Sequence, residues 1–180
     1  MVSNVLLNVY NMQIINRINK LWSEKPLLLV MIAAIITRLI AVIFSRGFGM
    51  HDDHFLVIEA AQAWVDGVIV PGRPIAPGVE IIPDGHSMFY MGLHFLLFKL
   101  LQLVNITDPL FKMLIVRIIH AAASVYSVWL VYKITEKIST QKDAVLAGLL
   151  MASIWFLPML SVRNLVEVFC IPFTLAGIWC

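Results

Sequence analysis

Charge is what this sequence has least of. Only 13% of its 180 residues are Asp, Glu, Lys or Arg, and 61% are hydrophobic. Soluble domains carry about a quarter charged residues and rarely exceed about half apolar ones, so the composition points to a membrane class before any motif is read. The net charge of +2 is small, and no basic tract is present. Nucleic acid is therefore not an expected partner. Cysteine is scarce too. Cys170 and Cys180 are the two present, no C-x-x-C occurs, and neither a zinc site nor a thiol redox site is supported. Both lie in an apolar run and read as buried, inert residues. A leader cleavage site is lacking as well. Ser45-Arg46-Gly47-Phe48 follows the first apolar run where a small-x-small pattern would be needed, so that run reads as an uncleaved span.

What is present is a series of apolar runs. Pro26 opens the first, over 27–44, at a position where proline suits a helix start. Its 18 residues are near the shortest length that crosses roughly 30 Å of hydrocarbon. Arg17, Lys20 and Lys25 place its start in the cytoplasm by the positive-inside rule. Arg38 interrupts it, at a cost of at least about 2–3 kcal/mol unless it is paired or snorkels. The expectation is that it reaches the outer face or an acid in the following loop.

Residues 5–22 repeat apolar side chains near helical spacing, which predicts a surface helix or a plain soluble cap. Further runs at 113–134, 144–160 and 166–180 predict three more spans. The apolar stretch 88–104 is the ambiguous one. Were it to span, the loop holding Lys133, Lys137 and Lys142 would fall outside, against the positive-inside rule. It is therefore expected to lie in the interface.

The expected fold is all-α: a polytopic membrane protein with a cytoplasmic amphipathic N-terminus at 1–26. Its outer loop, 45–112, holds juxtamembrane helices at about 53–65, capped by Asp52, and at about 88–104. The apolar run that reaches Cys180 carries no closing polar residue, which suggests a piece of a longer multi-span protein.

Two constellations could carry chemistry. His51-Asp52-Asp53-His54 sets paired carboxylates at a helix start. They could cap the helix. They could hold a divalent metal with the histidines, although four consecutive residues do not easily aim at one ion. One carboxylate could instead be a general base, its pKa raised by partial desolvation. The second constellation is Arg163 and Glu167, whose spacing of four would put both on one helical face. They could form an ordinary ion pair, or Arg163 could meet a phosphate. Arg117, His120, His86 and Arg73 offer further positive charge. His94 and Lys99 read as interfacial contacts rather than site residues.

The order of these features resembles the N-terminal part of the GT-C glycosyltransferases, in their mannosyltransferase and protein O-mannosyltransferase-like branches. Asp52-Asp53-His54-Phe55 resembles the acidic motif after the first span, with Asp53 where glutamate is commoner. Glu59 follows where the family often has an acid. His86-Ser87-Met88-Phe89-Tyr90 is similar to the motif opening the second juxtamembrane helix, Arg117 to an arginine starting the next span, and 161–167 to the segment with a second acid.

The resemblance covers about residues 25–180. It implies sugar transfer from a polyprenyl- or dolichyl-phosphate donor to a hydroxyl of a glycan, lipid or protein acceptor, by inverting displacement. Asp52 would be the base and Asp53 would assist it. Glu59, His86, Arg117, Arg163 and Glu167 would bind substrate. No cofactor beyond a divalent metal is implied. The setting would be a bacterial inner membrane or the endoplasmic reticulum. A polytopic transporter, or a non-catalytic or inactive membrane subunit, is the competing expectation.

Overall fold

The structure is a computed structural model that describes Met12 and residues 20–46, 54–67 and 88–180. Every ordered element among these residues is a helix. Helix α1 is Pro26–Phe44, with Pro26 in its first turn. A wide π-helical turn, His54–Glu59, leads into α2, Ala60–Val65. Helix α3 is Met88–Leu103, α4 is Pro109–Ile138, α5 is Gln141–Ser153, α6 is Phe156–Ser161 and α7 is Val166–Trp179.

Local chemistry explains most of these boundaries. Asp108 caps α4 by accepting from the Phe111 amide at 3.0 Å, and Pro109 fills the first position, where a missing N–H costs nothing. Thr140 and Asp143 form a reciprocal capping box that starts α5 after a two-residue turn.

Among the described residues, helices α1 and α4 are the two that are long and apolar enough to cross a membrane. Helix α4 exceeds the expected 113–134 at both ends. The expected span at 144–160 is not one helix. It breaks at Ile154, whose backbone is extended (ψ 122°), into 13-residue α5 and 6-residue α6. Pro158 supplies the reason: it has no N–H for the Ile154 carbonyl, and its ring collides with that carbonyl in an α-helix. The expected helix over 53–65 is likewise two conformations, π then α, and its Asp52 cap lies outside the described residues. The juxtamembrane helix expected at about 88–104 is α3. Most of the expected N-terminal surface helix and the Gly/Pro-rich loop also lie outside the described residues.

The helices pack in two layers joined by a waist. In one layer, Val30 and Ala34 of α1 meet Val128 and Tyr132 of α4 and Ala144 and Ala152 of α5. Gly148 makes this approach close. A Cβ there would sit 2.8 Å from Val30 Cγ1 and 3.3 Å from Tyr132 Cδ2. The other layer joins Ile58, Ala61 and Val65 to Met91, Phe98 and Leu101 of α3 and Val116 of α4. Between them, Ala41 and Val42 pack on Ala121 and Val162. Directions follow from these contacts. Helix α4 runs against α1, since Arg117 meets Val42 and Ser124 meets Arg38. Helix α7 runs with α4, since His120 faces Phe169 and Trp129 faces Trp179.

Arg38 departs from the expectation of snorkelling or pairing with a loop acid. It is 1% exposed. Its guanidinium donates to the Ala152 carbonyl, to the Met151 carbonyl at 2.8 Å and to Ser124 Oγ at 3.2 Å. Thr37 adds a second bond to Ala152, at 2.8 Å. The last carbonyls of a helix have no partner within it, and α5 ends at Ser153. Arg38 is a side-chain cap for α5, delivered from another helix. The cysteines depart too: Cys170 and Cys180 are exposed, not buried.

Candidate functional site

The end of α1, the third turn of α4, the start of α3 and the turn between α6 and α7 converge at one place. Arg117 projects there from α4. It donates to the carbonyls of Met113 at 3.1 Å, Val42 at 3.3 Å and Ser45 at 2.9 Å. The last two are late carbonyls of α1, which have no helical partner. Arg46 and Arg163 both press positive charge on Arg117. Among the described residues no carboxylate pairs with Arg117 or Arg46. Three cations are thus gathered at the end of a largely apolar bundle.

The turn presenting Arg163 is firmly built. Val162 is fully buried against the waist, and the Ser161 hydroxyl donates to the Pro158 carbonyl at 2.9 Å. The Leu165 amide returns to the Arg163 carbonyl at 2.9 Å, making a tight turn centred on Asn164. Arg163 lies in this turn, before α7 begins. It therefore does not share a helical face with Glu167, as the spacing of four had implied. Glu167 is exposed in the first turn of α7, where a carboxylate favours the helix dipole.

A polar chain lies beside the cations. The Tyr90 hydroxyl donates to Asn164 Oδ1 at 2.7 Å and lies 2.6 Å from His120 Nε2. His120 Nδ1 lies 2.8 Å from the Val116 carbonyl, and His94 Nδ1 lies 2.9 Å from the Tyr90 carbonyl. Facing an acceptor, each Nδ1 carries the proton, so His120 Nε2 is an acceptor and the one Tyr90 hydroxyl proton serves either Asn164 Oδ1 or His120 Nε2. His94 also bonds Asn164. Burial lowers the His94 pKa from its ordinary value, while its bonds to the Tyr90 carbonyl and Asn164 pull the other way.

Above this chain opens a cavity of about 220 Å³, bounded by Leu93, Leu97, Val116, Ile119 and Phe169 besides the aromatic polar groups. The polar tips are occupied by one another, so the cavity offers an apolar wall.

Of the residues expected in the site, Arg117 and Arg163 are brought together. Glu59 is not with them: it lies 3.6 Å from His54 Nε2, at the end of the π turn. Asp52, Asp53 and His86 lie outside the described residues. His51 does too, so the metal constellation is not described. Among the described residues no three metal-ligating side chains gather. Lys99 is exposed and donates to Gln102 Oε1 at 3.2 Å. His94 is a correction. It is 5% exposed and lines the cavity. Tyr90 and Asn164 are the functional candidates that sequence reasoning passed over. The Tyr90/His94 spacing of four, polar on an apolar helix, was the available signal.

Comparison with known protein families, with curated proteins and with solved structures finds no match.

Proposed function

We propose that this chain is a multi-pass membrane protein of GT-C-like glycosyltransferase type. It binds the phosphate of a lipid-linked sugar at Arg117 and Arg163 and passes the sugar to an acceptor hydroxyl. The observation that carries the reading is the convergence of Arg117, Arg163 and Arg46 at one end of the bundle. A phosphate suits arginine's planar fork. The cavity beside them would take the adjoining apolar chain.

The membrane reading rests on the two long apolar helices and on the outer face of α1. Leu28, Ile32, Ile36, Leu39, Ile43 and Phe44 are all exposed there. Such a stripe is costly in water and costs nothing in hydrocarbon. The broken pair α5–α6 would cross in tandem, its central backbone satisfied inside the protein by Arg38. Directions then alternate through α1, α4, α5–α6 and α7, with α2 and α3 in the interface.

Asp52 and Asp53 follow Arg46 by six and seven residues of chain. In this reading Asp52 takes the proton of the acceptor hydroxyl as that oxygen attacks the anomeric carbon. Arg117 and Arg163 meet the negative charge on the departing lipid phosphate. Transfer of labelled sugar from a polyprenyl-phosphate sugar, in membranes containing this chain, tests the reading. Activity that disappears in both Asp52→Asn and Arg117→Gln is expected. Transfer unaffected by either substitution rules the assignment out.

A further inference from the structure

We propose that the groove between the start of α1 and the end of α4 is a binding site for an aminophospholipid. The lipid's primary ammonium meets Glu24 and Glu136, and its phosphate meets Lys25. The inference rests on the membrane reading above and not on sugar transfer.

Three helix ends make the groove. A residue before proline is disfavoured in the helical region, and Lys25 is accordingly non-helical (φ −139°, ψ 54°) between the helical residues 20–24 and α1. Helix α4 ends at Ile138, and α5 begins at Gln141. Because α1 runs against α4, the start of one lies at the end of the other. The groove they leave measures about 490 Å³, within the range of small-molecule sites, about 300–1,000 Å³. Its polar lining is Glu24, Lys25, Glu136 and Gln141. Its apolar lining includes Leu28 and Tyr132, the latter 1% exposed. The lysines around this end place it in the cytoplasm by the positive-inside rule.

Two features select the ligand. The first is an apolar track that leaves the groove. Leu28, Ile32, Ile35 and Leu39 share one face of α1, and all are exposed. From residue 28 to residue 39 a helix rises roughly 16 Å, close to half of the roughly 30 Å of hydrocarbon. A headgroup in the groove can therefore lay an acyl chain along α1 within one leaflet. The second feature is the mixture of charge. Lys20 lies 3.7 Å from Glu24 Oε1, and Lys133 lies 2.7 Å from Glu136 Oε2. A carboxylate accepts on both oxygens, so each acid has capacity for a further N–H donor. Both are open to it, with side chains 54% and 36% exposed. An ethanolamine headgroup supplies three ammonium N–H donors for the acids and a phosphate for Lys25. A choline headgroup has the positive charge but no N–H. A glycerol headgroup has no cation at all. Charge complementarity therefore commits the groove to the primary amine.

The test is native mass spectrometry of the full chain in detergent. The probe is an equimolar mixture of phosphatidylethanolamine, phosphatidylcholine and phosphatidylglycerol with matched chains. The chain is expected to retain the ethanolamine lipid over the choline lipid by about fivefold or more, as a charge-assisted hydrogen bond does. Mono- and dimethylated ethanolamine lipids should fall between the two, in that order. The Glu24→Gln/Glu136→Gln pair should erase the difference. Lys25→Gln should lower retention of all three lipids without changing their order. Thermal melting accompanies each variant, and should the paired variant fail to fold, the methylation series on the parent decides. Equal retention of the ethanolamine and choline lipids overturns the site, as does a preference for the glycerol lipid or a preference that survives in the folded paired variant. Washing membranes with alkaline carbonate tests the underlying reading separately. A chain released by that wash overturns the membrane reading itself. A chain that resists it but retains all three lipids equally overturns the lipid site alone.

Discussion

Arg38 and Arg117 are both arginines set into long apolar helices, and both donate to backbone carbonyls, Arg38 to two hydroxyls besides. Their surroundings make them different devices. Arg38 is sealed, and its donors cap the end of α5 where Pro158 forces the chain out of helix. Arg117 is half-buried, bonds the fraying end of α1, and carries the repulsion of Arg46 and Arg163. The first arrangement consumes a charge to finish a fold. The second sets a charge near two others at one end of the bundle. The difference teaches that an arginine in an apolar helix is neither structural nor functional by position. The partners decide, and here they decide in opposite directions.

Arg38→Leu should have the largest effect of any single change. It strips the Met151 carbonyl and the Ser124 hydroxyl of their donor and leaves the Ala152 carbonyl to Thr37 alone, at about 1–3 kcal/mol for each buried group left unsatisfied. Denaturant unfolding in detergent should show a loss of roughly 3–5 kcal/mol. A loss no greater than that of Arg117→Gln would erase the contrast.

Gly148→Ala sharpens it from the packing side. The added methyl meets Val30 and Tyr132, and overpacking of this kind costs about 1–3 kcal/mol. It should also pry α5 from α1 and so weaken the Arg38 cap. Additive losses in the Gly148→Ala/Arg38→Leu pair would show that the two are independent.

Arg117→Gln should cost only about 1 kcal/mol of stability, because the substitution also relieves repulsion. Farnesyl phosphate binding should nevertheless fall by about tenfold or more. A variant that melts early but binds normally would make Arg117 a second Arg38.

The smallest effect concerns pH. His94 is held neutral in the fold by burial, below its ordinary value of 6.5, so the folded chain binds fewer protons than the unfolded one. Its contribution to stability is complete above pH 6.5 and is lost as pH falls below it. His94→Gln should flatten the melting temperature between pH 7 and pH 5. An unchanged slope would show that His94 takes its proton without strain.

Much of the helical framework was legible in the sequence. Pro26, the Asp108-Pro109 start and the Thr140/Asp143 box are local signals, and the helices begin where they stand. The break at Ile154 was legible as well, through Pro158. It is obscured by the apolar residues Trp155, Phe156 and Leu157, which continue the hydropathy across it. The destination of Arg38 was not legible, because its acceptors lie more than a hundred residues away. For the same reason Asn164 showed only as part of a short segment and Tyr90 only as the end of a loop motif. Their meaning is a contact between three elements. The helical argument that joined Arg163 to Glu167 did not hold, because Arg163 precedes α7.

The cap on α5 also sets a timetable. Arg38 and its acceptors are separated by 113 and 114 residues. At about 5–20 residues per second of synthesis, α1 waits roughly 6–23 s with a bare guanidinium in apolar surroundings before its carbonyls exist. During that interval the first helix has a reason to stay shallow, or to be held by an insertion partner. Its final depth is fixed only when α5 arrives. A chain stopped before Met151 would leave that charge without its partners, so the ribosome, rather than the finished fold, meets the earliest energetic test of this design.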